Sequence, residues 1–100
     1  MTMSREHLIQ SLLELEPKLR ARGVTHMALF GSRARQDNRP DSDVDVAIEV
    51  DPHAKFSLID LSGVAVAIED ETSLEANVLM RRSLDGSFRS SFERDAIEVF

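Results

Sequence analysis

From Asp43 to Val50 the sequence alternates with a period of two. Val44, Val46, Ile48 and Val50 occupy one set of positions; Asp43, Asp45, Ala47 and Glu49 occupy the other. Successive side chains of an extended strand point to opposite faces. The segment therefore predicts a strand with one face that needs a core and another that carries two carboxylates. Asp51-Pro52 closes it. Any fold this chain adopts must cover the valine face and leave the aspartates reachable.

The flanking segments supply the cover. Upstream, Ser4 is placed to cap a helix. Leu8, Leu12, Leu15 and Leu19 recur at helical spacing beside Ile9 and Leu13. Pro17 cannot donate to the carbonyl four residues back, so a kink or restart is expected there. Gly23 is placed to end the helix. Val24 to Phe30 reads as a strand, ended by Gly31-Ser32. A short helix from about Ser32 to Gln36 and a polar loop through Pro40 lead to the aspartates.

Downstream, Ser57 with Asp60 three residues on resembles a capping box. Leu58, Leu61, Ala65 and Ile68 predict the buried stripe of the helix that follows, with Gly63 inside it at a cost of about 1 kcal/mol relative to alanine. Leu74 to Met80 predicts a third strand. Leu84, Phe88 and Phe92 predict one face of a last helix, and Ala96 to Phe100 a short terminal strand. This order predicts an α/β (α+β) fold, a small mixed sheet of about four strands with helices packed on it. One domain is expected over residues 1–100.

Composition narrows the function classes. The chain is 42% hydrophobic and 30% charged, ordinary for a folded domain. No apolar run approaches the roughly 18 residues of a membrane span. Met1 to Glu6 is polar and lacks the apolar core of a signal peptide. There is no cysteine, hence no disulfide and no zinc–thiolate site. A cytoplasmic location is expected. Net charge of −6 argues against a direct grip on nucleic acid, which needs clustered lysine and arginine. Self-association is left open.

The stretch from Phe30 to Val50 holds the residues suited to chemistry. Gly31 lets the backbone turn sharply and lets a ligand approach closely. The amides that open the next helix suit phosphate oxygens, and the Ser32 hydroxyl adds a donor. Arg33 or Arg35 can neutralise a polyphosphate. Asp43 and Asp45 share a strand face, with Cα atoms expected roughly 6.5–7 Å apart. Carboxylates so close repel unless a cation lies between them, and magnesium, as one or two ions, suits oxygen donors that also hold substrate phosphate.

Gly31-Ser32, ten residues, then Asp43-Val44-Asp45 resembles the signature of the DNA polymerase β-like nucleotidyltransferase superfamily. Leu29-Phe30-Gly31-Ser32-Arg33-Ala34-Arg35 with Pro40-Asp41-Ser42-Asp43-Val44-Asp45 is similar to the minimal nucleotidyltransferases of bacteria and archaea. The resemblance implies an antitoxin that transfers AMP from ATP to a tyrosine of a HEPN-domain toxin. It implies that Gly31 and Ser32 contact the triphosphate and that Asp43 and Asp45 ligate magnesium. It also implies a third, proton-accepting carboxylate on the strand matching Leu74 to Met80. That position is Asn77 here, which cannot take a proton at neutral pH. Glu75, two residues earlier, should share its face and is the expected substitute. The alternative is a nucleotide-binding module that neutralises its partner by binding alone.

Other features are assigned ordinary roles. His7, His26 and His53 form no ligand set by spacing. Ser62 lacks the Gly-x-Ser-x-Gly elbow of a hydrolase. Arg81 and Arg82 read as a solvated strand end, and Phe88, Phe92 and Phe100 as packing bulk.

Overall fold

The computed structural model describes residues 3–100; Met1 and Thr2 of the polar N-terminal stretch lie outside them. Helix α1 (Arg5–Glu14) begins at Ser4, whose hydroxyl accepts from the His7 amide at 3.1 Å. The chain restarts at α2 (Glu16–Ala21), with Pro17 in its first turn, where no intrahelical donor is required. Leu8, Leu12, Leu15 and Leu19 are all buried. The restart thus keeps the leucine stripe on one side.

Strand β1 (Val24–Phe30) lies beside β2 (Val44–Val50), with the short helix α3 (Ser32–Arg35) between them in sequence. Helix α4 (Leu58–Thr72) crosses over to β3 (Ala76–Met80). A 3-10 turn at Arg81–Ser83 leads to α5 (Gly86–Asp95) and β4 (Ile97–Glu98). The sheet order is β3-β2-β1-β4. β2 and β3 are parallel, and β1 is antiparallel to both β2 and β4. This is the small mixed sheet with packed helices that the alternation of segments implies.

Strand β1 keeps strict alternation only beyond a bulge. The register slips between Val24 and His26, so that Val24 and Met27 both turn inward. Val44, Val46 and Ile48 are fully buried beneath α1 and α4. On the opposite face α5 covers Phe30: Phe88 and Phe92 meet its ring edge-on at centroid distances of 6.3 and 5.8 Å. Such pairs prefer this geometry because the positive ring edge meets a negative face.

The capping box at Ser57 and Asp60 is present. The buried stripe of α4 differs from the expected one. Val64, Ala67, Ile68 and Thr72 are buried, whereas Leu58 is 80% exposed and Leu61 and Ala65 are half-buried. The helix is rotated so that Val64 and Ile68 meet the core, and Leu61 and Ala65 face the outer side of β3. Gly63 lies under the end of the Arg22 side chain. A Cβ there would lie 2.6 Å from the Arg22 guanidinium, which also pairs with Asp60 at 3.8 Å.

The two last strands are shorter than expected. Glu75 precedes β3, though its carbonyl accepts from the Val44 amide at 2.8 Å. Beyond β4, the Val99 and Phe100 amides both donate to the Met27 carbonyl, at 2.8 and 3.3 Å. Leu84 stands ahead of α5 rather than on it.

Candidate functional site

Strand β1 ends at Phe30, and Gly31 turns the chain with φ +79°. A side chain at that φ is strained in any L-residue. The turn also brings the Gly31 backbone against Asp45: a Cβ on Gly31 would collide with Asp45 Oδ2 and lie 3.2 Å from its Cγ. The Gly31 carbonyl accepts from the Ala34 and Arg35 amides, both at 3.1 Å. The turn and a carboxylate of the next strand therefore share one small surface.

The register across the sheet fixes the third member. Asp45 lies opposite Phe30 on one side and opposite Asn77 on the other. The Asn77 amide donates to Asp43 Oδ2 at 3.2 Å and to Asp45 Oδ1 at 2.9 Å. Asp43, Asp45 and Asn77 thus converge, as the two-residue spacing and strand alternation predict. Burial pushes the Asp45 carboxyl above its usual range. The Asn77 hydrogen bond opposes this, the Asp43 charge adds to it, and the Arg35 charge opposes it.

Glu75 is not brought in. Its side chain is exposed beside Glu69, Ser73 and Leu74. Among the described residues no three histidine, aspartate or glutamate side chains gather to hold a metal. Among the described residues no hydrogen bond or ion pair joins the Glu75 carboxylate to Asp43, Asp45 or Asn77, whereas Asn77 bonds both aspartates. The constellation present is two carboxylates and one amide.

The two arginines part company. Arg33 is 2% exposed. Its Nε donates to the Ser42 carbonyl at 2.9 Å, and Nη2 donates to the Pro40 and Arg39 carbonyls at 3.1 and 3.5 Å. Its Nε and Nη2 donors are taken up inside the protein, tying down the loop that ends at Asp43. Burial lowers its pKa, against the raising effect of Asp41 and Asp43; arginine stays charged in proteins regardless. Nothing in the local periodicity marks Arg33 for this task. Arg35 bonds Asp37 at 3.0 Å and Asp95 at 2.7 Å, and remains close enough for its charge to act on Asp45. Ser32 opens α3 half-buried, beside Gly31.

The fold and this turn-plus-carboxylate site define a nucleotidyltransferase domain, and the chain belongs to that family: the model of the nucleotidyltransferase domain matches residues 6–99. The chain is 29% identical, over 83% of its length and 87% of the relative's, to the Methanocaldococcus jannaschii protein named Putative protein adenylyltransferase MJ0435. Among solved structures, one of a putative minimal nucleotidyltransferase is 29% identical, with a TM-score of 0.73, covering 95% of each chain. A complex of a tri-AMPylated Shewanella oneidensis HEPN toxin with an MNT antitoxin shares the fold at 12% identity and a TM-score of 0.68, covering 96% of this chain and 71% of that one. Among the described residues no helix is long and apolar enough to cross a membrane.

Proposed function

We propose that this protein transfers AMP from ATP to a tyrosine hydroxyl of a HEPN-type toxin and so acts as its antitoxin. The observation that carries the reading is the convergence of Asp43, Asp45 and Asn77 on the surface made by the Gly31 turn. The similarity to a protein named as an adenylyltransferase and the shared fold with an antitoxin bound to an AMPylated toxin support it.

The donor set fits magnesium. Asp43 and Asp45 supply hard oxygens, and Asn77 can turn its carbonyl toward an ion in place of its amide. Bound magnesium would neutralise charge on the triphosphate and on departing pyrophosphate. The rest falls to the chain. Gly31 admits the phosphates close to the backbone, Ser32 and the amides after it donate to them, and Arg35 adds positive charge at the rim. The partner's hydroxyl oxygen forms a bond to the α-phosphorus as the bond to pyrophosphate breaks. Asn77 cannot take the hydroxyl proton, so it leaves to water or to pyrophosphate. Positioning and electrostatics supply the acceleration.

A test incubates the protein with magnesium, ATP labelled on the α-phosphate and a HEPN-type toxin from the same source. Label should pass to the partner, and Asp43→Ala should reduce it at least about 100-fold, the scale of losing one preorganised electrostatic group. An unlabelled partner, or undiminished labelling by the variant, counts against the reading.

One observation favours a second reading, neutralisation by binding alone. The Asn77 amide already satisfies both carboxylates, as a cation would. In that case Asp43→Ala binds and neutralises the partner as well as the parent chain does.

A further inference from the structure

Strand β3 is an open edge of the sheet. Its ladder to β2 starts where the Val44 amide donates to the Glu75 carbonyl at 2.8 Å. In a parallel ladder the backbone groups of alternate residues face the partner strand. Ala76 and Val78 therefore turn their N–H and C=O groups away from β2. The Ala76 amide follows this rule and is met by the Glu69 carboxylate of α4 at 3.1 Å. Among the described residues, no strand pairs with Val78 on that side.

A cleft of about 390 Å³ runs along this edge. Leu61, Ser62 and Ala65 of α4 line it on the core side of the sheet, and Phe88 of α5 on the other. Val78 and Leu79 complete it, and Asn77 belongs to the same lining. Phe88 is 42% exposed there, although its ring edge packs on Phe30. The rotation of α4 noted above is what turns Leu61 and Ala65 into this wall.

We propose that the cleft seats an extended segment of the acceptor polypeptide, added to β3 as a further strand, whose tyrosine reaches past Asn77 to the Asp43–Asp45 site. This rests on the transfer function proposed above. Unpaired main-chain groups at a sheet edge are matched by another main chain, which bonds them and places alternate side chains in flanking pockets. The cleft offers both: the open Val78 backbone, and apolar walls above and below the sheet. Reach selects the residue. An added strand lies about 10 Å from β2, two strand spacings. Serine and threonine hydroxyls would stop over β3, whereas the tyrosine ring spans it. Charge sets direction. Glu69 and Glu75 stand at one end of the edge, and Arg81 and Arg82 at the other. The segment is therefore basic at the Ala76 end and acidic at the Met80 end.

The probe is a synthetic peptide of about ten residues, the length of an ordinary strand with its flanks. It alternates threonine and valine around one tyrosine, with lysines at one end and glutamates at the other. The protein has no tyrosine or tryptophan, so the peptide's fluorescence reports binding without background. Saturable binding is expected, with slowed hydrogen exchange at the Val78 amide. Val78→Pro removes only an outward N–H, a place where edge strands tolerate proline. It should weaken peptide binding about tenfold, the worth of one hydrogen bond, while magnesium–ATP binding and circular dichroism stay unchanged. Ala65→Lys should weaken it similarly by filling the wall, and it carries the test if Val78→Pro fails to fold. No saturable binding, unchanged Val78 exchange at saturation, or binding that neither variant weakens overturns the proposal. AMP transfer to the toxin that is indifferent to both variants also overturns it, while sparing the transfer reading. Variant-sensitive peptide binding without any transfer upholds the cleft and removes that reading.

Discussion

Asn77→Asp is expected to raise AMP transfer about 100-fold, the lower range of what a positioned proton acceptor contributes. The position is right for the role: Asn77 lies opposite Asp45 in the sheet and within hydrogen-bonding distance of both aspartates. The variant should have a cost in the metal-free protein. It loses two amide hydrogen bonds and sets a third negative charge beside a carboxyl that burial and Asp43 already push upward. Because Asn77 is exposed, the loss should be only about 1 kcal/mol.

The sign of the pH dependence follows. A carboxyl whose pKa is raised on folding binds protons more tightly folded than unfolded, so the contribution of Asp45 to stability is full below the unfolded value and is lost as pH rises through the folded one. Asn77→Asp should steepen that fall, and magnesium should reverse it. Thermal midpoints at acidic and neutral pH, with and without magnesium, check this. A variant that gains magnesium affinity but no transfer rate would show that Asn77 does not stand where the proton must go.

Gly31→Ala should be the most damaging conservative change in the protein. Its φ of +79° alone costs an L-residue about 1–2 kcal/mol. The added methyl also meets Asp45 Oδ2, part of a half-buried carboxylate held by Asn77, so either the turn or the carboxylate must shift. We expect a stability loss of about 2–4 kcal/mol in urea titrations, with the excess over the φ term from overpacking. Magnesium–ATP affinity should fall at least about tenfold, since both sides of the site move. Gly63→Ala is the internal control. Its methyl meets only the far end of the flexible Arg22 side chain, and helix propensity favours alanine, so the net change should stay within about 1 kcal/mol. Equal losses at the two glycines would refute the argument from Asp45.

Much of this site can be read from sequence because it rests on short-range rules. Strand alternation places Asp43 beside Asp45, and spacing places Asn77 across from them. Proline chemistry places the restart at Pro17, and Ser4 and Ser57 announce their helices. What escaped depends on tertiary partners. The periodicity of α4 allows more than one buried face, and only packing on the core selects Val64 and Ile68 over Leu58. Glu75 is two residues from Asn77 in sequence, yet it stands exposed beside Glu69 of α4, a neighbour that only the tertiary fold supplies. Arg33 and Arg35 are alike in sequence, but a loop that folds back over one of them makes it an internal tie.

That tie bears on how the motif spacing is understood. Arg33 grips the Pro40 and Ser42 carbonyls just ahead of Asp43, while Gln36 and Asp37 lie exposed on the surface. The ten residues between Ser32 and Asp43 are therefore not a ruler that measures out the active site. One anchored end sets where the aspartates stand, and the outer bend can lengthen or shorten without moving them.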